Sequence, residues 1–201
     1  MNAVSFPNDS DISYRFLDWP EWGTMAYELA AKILSHEAPF DRLVPLATGG
    51  LTLSRAMKDY LQIKRLSSLH INFYTNIGET AKTPIIRESI GSNIEGERIL
   101  VFDDINDTGG SLRTACNYLQ IRGAKQVVTA TTFQKPVTTF PSDYFVEETS
   151  DWVIFPDEVR ETIVALTAKW HAAKVSNDEI QTRLKTIGFL DLHLDLIRKH
   201  P

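Results

Sequence analysis

An α/β fold, with a mainly parallel sheet flanked by helices, is predicted for these 201 residues by three observations. Short apolar runs of strand length recur at 43–47, 99–102 and 126–133. Two of them lead through Gly-Gly turns directly into helix-like segments. Between the runs lie segments whose apolar residues repeat every three to four positions, the period of a half-buried helix. A small hood and a helical C-terminal extension complete the expected architecture. The division is residues 1–158 as the main domain with its hood and 159–201 as the extension.

The first helix is announced by Asp18-Trp19-Pro20-Glu21. Asp18 is the N-cap, Glu21 completes a capping box, and proline suits the first turn. Trp22, Ala26, Leu29 and Ile33 then form one core-facing stripe. The run 43–47 reads as a strand, although Pro45 within it must avoid a position that donates to the ladder. Thr48-Gly49-Gly50 turns from this strand into a helix over 51–61. Ile71 and Phe73 alternate with His70, Asn72 and Tyr74, a half-buried strand pattern. From Thr75 to Glu97 the sequence is polar and aperiodic, with Gly78, Pro84, Gly91 and Gly96. It is expected to be a long loop, of the kind that is functional or mobile, carrying Lys82 and Arg87.

The stretch 99–111, Ile-Leu-Val-Phe-Asp-Asp-Ile-Asn-Asp-Thr-Gly-Gly-Ser, organises the chain. The apolar run 99–102 suits a strand buried on both faces. Asp103 and Asp104 follow it, Asp107 precedes Thr108-Gly109-Gly110-Ser111, and a helix is expected over 112–122 with Gly123 as its stop. A strand entering a helix through a small-residue turn presents free backbone N–H groups, backed by the helix dipole, to an anion such as phosphate. The glycines let the backbone approach closely, and the hydroxyls of Thr108 and Ser111 add donors. The carboxylates call for a diol, a hard cation, or both. Phosphate beside diol or Mg²⁺ describes a phosphorylated ribose. The ending is not Gly-Lys-Ser/Thr, and Gly-x-Gly-x-x-Gly is missing, so neither a P-loop nor a dinucleotide fingerprint is present.

Beyond it, 126–133 is a Val- and Thr-rich strand ending at Gln134-Lys135-Pro136. After Asp143-Tyr144-Phe145-Val146 comes an acidic stretch, and then Asp151-Trp152-Val153-Ile154-Phe155-Pro156-Asp157-Glu158. Trp152 opens a short strand. Residues 159–171 form an amphipathic helix, Ser176-Asn177-Asp178-Glu179 caps another that Gly188 stops, and 190–197 is a further apolar-rich segment.

The 99–111 stretch resembles the phosphoribosyl-pyrophosphate (PRPP) signature of type I phosphoribosyltransferases. Thr48, Gly49 and Gly50 stand where that family binds pyrophosphate, although Thr48 replaces the Arg or Lys usual in related purine enzymes. Arg55 is the nearest candidate to compensate. The order Lys-Pro, Asp-Tyr, acidic stretch, Asp-Trp-Val resembles the bacterial xanthine-guanine enzymes. The resemblance covers roughly residues 40–158. It implies transfer of 5-phosphoribosyl from PRPP to a 6-oxopurine (guanine, xanthine or hypoxanthine), giving a nucleoside 5′-monophosphate and pyrophosphate with Mg²⁺. It also implies a flexible loop within 75–97 that closes over the reacting centre.

By position, Asp103, Asp104, Asp107, Thr108, Gly109, Gly110 and Ser111 would bind PRPP, and Asp107 would accept the purine N7 proton. Lys135, Trp152 and the Val153 backbone would bind the purine, while Asp104 and Glu158 would serve the metal. A non-catalytic PRPP or nucleotide sensor on the same scaffold, or a transferase for another base, are the alternatives.

The net charge of −5, with no basic tract, argues against nucleic-acid or anionic-membrane partners. No apolar run reaches membrane-spanning length, and the first seven residues have neither a basic start nor an apolar core. A cytoplasmic protein is expected, as a homo-oligomer (dimer or tetramer). The lone Cys116 reads as a core thiol, and His171, His193 and His200 have no metal-ligand spacing.

Overall fold

The computed structural model describes residues 3–7, 9, 12–36, 39–75 and 82–199. The chain forms two compact units, Gly23–Thr149 and a second built from Met1–Trp22 with Ser150–Pro201. In chain order the strands are β1 (Val4–Ser5), β2 (Ser13–Phe16), β3 (Arg42–Ala47), β4 (Arg65–Leu66), β5 (Leu69–Thr75), β6 (Lys82–Glu88), β7 (Arg98–Asn106), β8 (Gln126–Gln134), β9 (Tyr144–Glu148) and β10 (Trp152–Ile154). The helices are α1 (Trp19–Leu34), α2 (Leu51–Tyr60), α3 (Gly110–Ile121), α4 (Val159–Ala172), α5 (Asn177–Ile187) and α6 (Asp191–Lys199).

The larger unit carries a sheet in the order β6-β5-β3-β7-β8-β9, with β4 also on β3. All its pairings are parallel except β5–β6. This is the mainly parallel α/β architecture expected from the sequence. From β3 the chain passes through α2 to β5 on one side, whereas β7, on the other side of β3, leads through α3 to β8 and β9. The direction of winding therefore reverses between β3 and β7, and open α/β sheets bind ligands at the carboxyl ends of strands flanking such a point.

Val44, Leu46, Ile99, Val101, Leu112, Ala115 and Leu119 pack into one buried cluster. Cys116 is buried on α3, and burial together with the nearby charge of Asp143 pushes its thiol up to about 12. A thiol so placed stays protonated and inert at neutral pH.

Pro45 is accommodated by a gap in the ladder. On the side away from β7, β3 pairs with β4 at Arg42 and Leu43 and with β5 at Leu46 and Ala47. The Leu43 carbonyl accepts from Ser67 N on that side, so Pro45, two residues on, also turns its nitrogen there. The missing donor falls where neither strand is paired.

The 75–97 segment differs from expectation. Residues 82–88 form β6, an antiparallel edge strand on β5, and Pro84 is tolerated there because edge strands can leave a donor site unused. The tip, 76–81, and with it the closing part of the expected loop, lies outside the described residues. The other edge is β9, where the Lys32 ammonium donates to the Phe145 and Val146 carbonyls and blocks strand addition.

At the amino ends of β3 and β7, Glu97 is clamped by two arginines. Arg42 donates from Nε to Oε2 at 2.7 Å and from Nη2 to Oε1 at 3.1 Å, and Arg65 adds Nη1 to Oε1. Arg42 also donates to Ser67 Oγ at 2.6 Å. The Arg42 and Glu97 side chains are each only 8% exposed.

In the smaller unit β2 pairs antiparallel with β1 and parallel with β10. Tyr14, Phe16, Ile154, Ile163, Leu166, Trp170, Ile180 and Leu184 form its core together with residues of α5 and α6. The predicted caps hold: Glu21 N donates to Asp18 Oδ1 at 2.7 Å and Glu179 N to Ser176 Oγ at 3.3 Å. Gly188, at φ +131°, ends α5. Asp9 Oδ2 accepts from Tyr14 OH at 2.8 Å and Trp170 Nε1 at 3.0 Å, and Lys169 Nζ lies 2.5 Å from Oδ1. Burial pushes this carboxyl up, but the hydrogen bonds from Lys169, Tyr14 and Trp170 outweigh it and hold it below the usual range.

Candidate functional site

β7 is longer than its apolar run. It continues to Asn106, so Asp103 and Asp104 lie on the strand itself, and both carboxylates reach the 48–50 turn, Asp104 against Gly49 and Asp103 at the Gly50 backbone. Asp103 N–H neighbours carry part of the load: Asp104 N donates to Asp103 Oδ1 at 3.1 Å, and Ile105 N to Asp104 Oδ1 at 2.6 Å. Burial, followed by the charge of Asp104, raises the Asp103 carboxyl well above the ordinary range, against hydrogen bonds from the backbone of Asp104 and Gly50.

The turn after β3 sits against these carboxylates. The Ala47–Thr48 peptide is cis, Gly50 N donates to Leu46 O at 2.9 Å, and Leu51 N to Thr48 O at 3.0 Å. A Cβ on Gly49 would collide with the Asp104 carboxylate, and one on Gly50 with the Phe102 carbonyl. Glycine at both positions is what allows the 48–50 turn and the strand end of β7 to meet. Arg55, the cation considered for this turn, instead pairs with Asp59 at 3.3 Å on the outer face of α2, where its side chain is 77% exposed.

Downstream of β7, Asp107 and Thr108 are exposed and Gly109 is buried. Gly109 is the N-cap of α3 at φ +87°, a left-handed conformation suited to glycine. Having no side chain, it leaves the first-turn N–H groups of α3 without a side-chain cap. Phe73, Asp103 and residues 105–112 line a pocket of about 90 Å³ at this helix terminus. Uncapped donors, the helix dipole and the Thr108 and Ser111 hydroxyls suit it to an anion. Phe73 contradicts the expectation that it faces the core: it is 44% exposed and its ring covers Gly110.

A brace that the sequence reading did not detect holds this turn. Thr139 donates to Thr108 O from both N and Oγ1 at 3.1 Å, and Arg113 Nη2 donates to Thr139 O at 2.8 Å. Phe140 and Thr138 fill the space that a Cβ on Gly109 would need. These contacts join residues some 30 positions apart, and neither periodicity nor a local motif signals them. Lys135 lies just beyond β8, half-buried, with its N donating to Asn106 O at 2.9 Å.

Trp152, Val153 and Glu158 belong to the smaller unit. Trp152 opens β10 with its side chain 56% exposed, while Val153 and Ile154 are buried. Glu158 precedes α4, and its Oε1 accepts from Phe155 N at 3.1 Å. Burial raises this carboxyl, the Phe155 N–H lowers it, and the charges of Asp157 and Glu161 raise it again.

Whether these residues suit a divalent cation is answered by the donor set. Among the described residues no group of three His, Cys, Asp or Glu side chains converges. Two adjacent carboxylates do meet at the 48–50 turn, and the charge of Asp104, second to burial in raising the Asp103 carboxyl, is a repulsion that a cation relieves. Mg²⁺ binds in this manner, through one or two carboxylates, with substrate oxygens and water completing its shell. The residues fit.

The phosphoribosyl transferase domain family matches residues 14–162. No curated protein matches the chain. Among solved structures, a purine phosphoribosyltransferase from Pyrococcus horikoshii Ot3 is similar at 28% identity and a TM-score of 0.65, over 71% of this chain and 93% of that one. The Helicobacter pylori xanthine-guanine-hypoxanthine phosphoribosyltransferase shares the fold at 22% identity and a TM-score of 0.64, over 76% and 98%. A hypothetical protein from Neisseria gonorrhoeae with bound ppGpp shares it too, at 17% identity and a TM-score of 0.64, over 72% and 89%. With the acid pair, the Gly-rich turn and the helix terminus set at the winding reversal of a mainly parallel sheet, and with the family matched across most of its length, the chain belongs to the phosphoribosyl transferase domain family and has the type I fold.

Proposed function

We propose that the chain is a purine-salvage phosphoribosyltransferase, which transfers 5-phosphoribosyl from PRPP to a 6-oxopurine and releases a nucleoside 5′-monophosphate and pyrophosphate. The observation that carries this is an acid pair beside an anion pocket: Asp103 lines the pocket that includes residues 107–111, and Asp104 adjoins it against the 48–50 turn. The two features suit a ribose diol and a 5′-phosphate.

The chemistry follows from where charge develops. As the bond from C1 to pyrophosphate breaks, the ribose becomes cation-like and the leaving group gains negative charge. The phosphate turn binds a part of the substrate remote from C1, so its binding energy fixes the reacting carbon. Asp103 and Asp104 hold the 2′- and 3′-hydroxyls, and Asp104 anchors the metal, with Glu158 assigned to a second metal position. Bound Mg²⁺ supplies charge neutralisation at the leaving group. Backbone donors of Thr48, Gly49 and Gly50 hold the pyrophosphate oxygens. Asp107 accepts the proton from purine N7. Lys135 donates to O6, which favours an oxo over an amino base. Trp152 provides a flat face for the ring, and its exposure supports that role over plain core packing.

Two substitutions test the assignments separately. Gly49→Ala drives a methyl group into the Asp104 carboxylate, so KM for PRPP should rise about tenfold, the equivalent of roughly 1.4 kcal/mol. An unchanged KM for PRPP would remove the 48–50 turn from the substrate site. Trp152→Ala should raise KM for the purine by about tenfold, through loss of stacking worth roughly 1–3 kcal/mol, and leave KM for PRPP nearly constant. Equal effects on both would count against stacking.

The direct experiment is pyrophosphate release from PRPP and Mg²⁺ with guanine, xanthine, hypoxanthine, adenine, uracil and orotate in turn. Turnover with oxopurines alone supports the proposal and ranks the bases. Turnover with a pyrimidine sinks the Lys135 and Trp152 roles. A second reading, a nucleotide sensor without turnover, is favoured by Thr48 in place of a cation and by the Arg55–Asp59 pair. Binding of PRPP without turnover on any base would establish it.

A further inference from the structure

Asn106 closes β7, directly before Asp107, and is only 2% exposed. An apolar side chain here would complete the strand's buried pattern without desolvating an amide. The amide is instead fully engaged. Its Nδ2 donates to Phe140 O at 2.8 Å and to Ser142 Oγ at 3.1 Å, and its Oδ1 accepts from Thr138 Oγ1 at 3.2 Å. The Asn106 carbonyl accepts from Lys135 N at 2.9 Å. Ser142 is held from behind, its Oγ 3.0 Å from Thr131 Oγ1 and its N donating to Gln134 Oε1 at 2.9 Å. One residue thus fixes both ends of the 135–142 turn to the strand that feeds the phosphate turn. Satisfied buried networks of this kind select a single geometry.

The opposite side of the same turn grips the phosphate turn through Thr139 on Thr108 O and Phe140 against Gly109. The turn carrying Lys135 and the turn carrying the anion pocket are therefore one mechanical piece, with Asn106 as its internal tie. We propose that Asn106 is a positioning residue that sets the register between the 5′-phosphate turn, 107–111, and the base-reading Lys135, so that a nucleotide is bound as one rigid span. Asn106 borders the anion pocket, but its amide is committed to the 138–142 segment and acts through that segment on the turn that carries Lys135. The inference rests on the phosphoribosyltransferase reading of this site.

The test compares two ligands that share the phosphate and differ in the base. Affinities of GMP and of ribose 5-phosphate are measured by competition against PRPP for wild type, Asn106→Leu and Ser142→Ala, with thermal midpoints recorded alongside. Asn106→Leu keeps nearly the shape of asparagine but removes both donors and the acceptor. It should weaken GMP about tenfold or more, lower kcat by at least as much, and change ribose 5-phosphate affinity less than threefold. Ser142→Ala, which cuts one strand of the tie away from β7, should shift GMP the same way by a smaller factor, and it decides the matter if Asn106→Leu does not fold. Parallel loss of both ligands, or no loss of either, overturns the positioning role. The underlying function is judged on wild type alone: failure to bind both PRPP and GMP overturns that reading and this inference with it, whereas wild-type turnover with an unselective variant overturns only the inference.

Discussion

Asp107→Asn should lower turnover with any accepted purine by 100-fold or more while PRPP affinity stays within a few-fold. The magnitude is that of a positioned general base, roughly 10²–10⁴ in rate. Asn keeps the size of the side chain and can still hydrogen-bond, but it cannot take up a proton at N7. Asp107 is exposed beside the pocket at the start of α3 and is not engaged in the buried core, so the fold has little stake in its charge. The backbone donors of 108–111, which carry the 5′-phosphate in this scheme, are untouched by the change. Steady-state kinetics with the best base from the substrate panel, together with PRPP binding by titration, separate the two effects. Full activity in Asp107→Asn would sink the base assignment. Loss of PRPP binding in proportion to turnover would recast Asp107 as a ligand of the phosphoribosyl group.

Much of this site was legible because its chemistry is local in sequence. The 99–111 stretch contains its own strand, acid pair, turn glycines and helix start, and the caps Asp18–Glu21 and Ser176–Glu179 each close within four residues. Features built by distant residues were not legible. β6 was hidden because an edge strand paired on one side needs no strict alternation and can hold Pro84. Phe73 followed the alternation of a buried strand, yet its ring is committed to Gly110, nearly 40 positions away. The Asn106 tie and the Thr139 brace depend on the return of 138–142 to β7, which no window of the sequence contains. β2 likewise depends on a partner, β10, almost 140 residues downstream. The exposure of Trp152 is intermediate in kind: a tryptophan opening a short strand ordinarily packs in the core, whereas its place after Lys-Pro and Asp-Tyr is, by resemblance, the ground for proposing a ring face, which needs it exposed.

Replacing Glu97 with Gln should destabilise the larger unit by about 3 kcal/mol or more, because breaking a buried ion pair from one side leaves the other charge uncompensated. Arg42 is the stranded partner, buried at the amino end of β3, and Ser67 can satisfy only one of its nitrogens. Arg65 is 59% exposed and would return to solvent at little cost. The thermal midpoint should fall by roughly 6–12 °C, at about 2–4 °C per kcal/mol for a chain of this size.

The pH dependence supplies an internal control. Hydrogen bonds from Arg42 hold the Glu97 carboxyl below its ordinary range, against its burial, with Arg65 and the charges of both arginines adding to the effect. A depressed folded value means that the unfolded chain binds the proton more readily, so the contribution is fully present above the ordinary glutamate range. It is lost as pH falls through the lower native value. The stability gap between wild type and Glu97→Gln, followed by denaturant melts from neutral pH downward, should therefore hold steady and then narrow in acid. A gap independent of pH would mean that packing, not charge, is what Glu97 provides. A gap near zero at neutral pH would mean that the clamp joining β3, β4 and β7 contributes nothing to holding the sheet on which the candidate site is built.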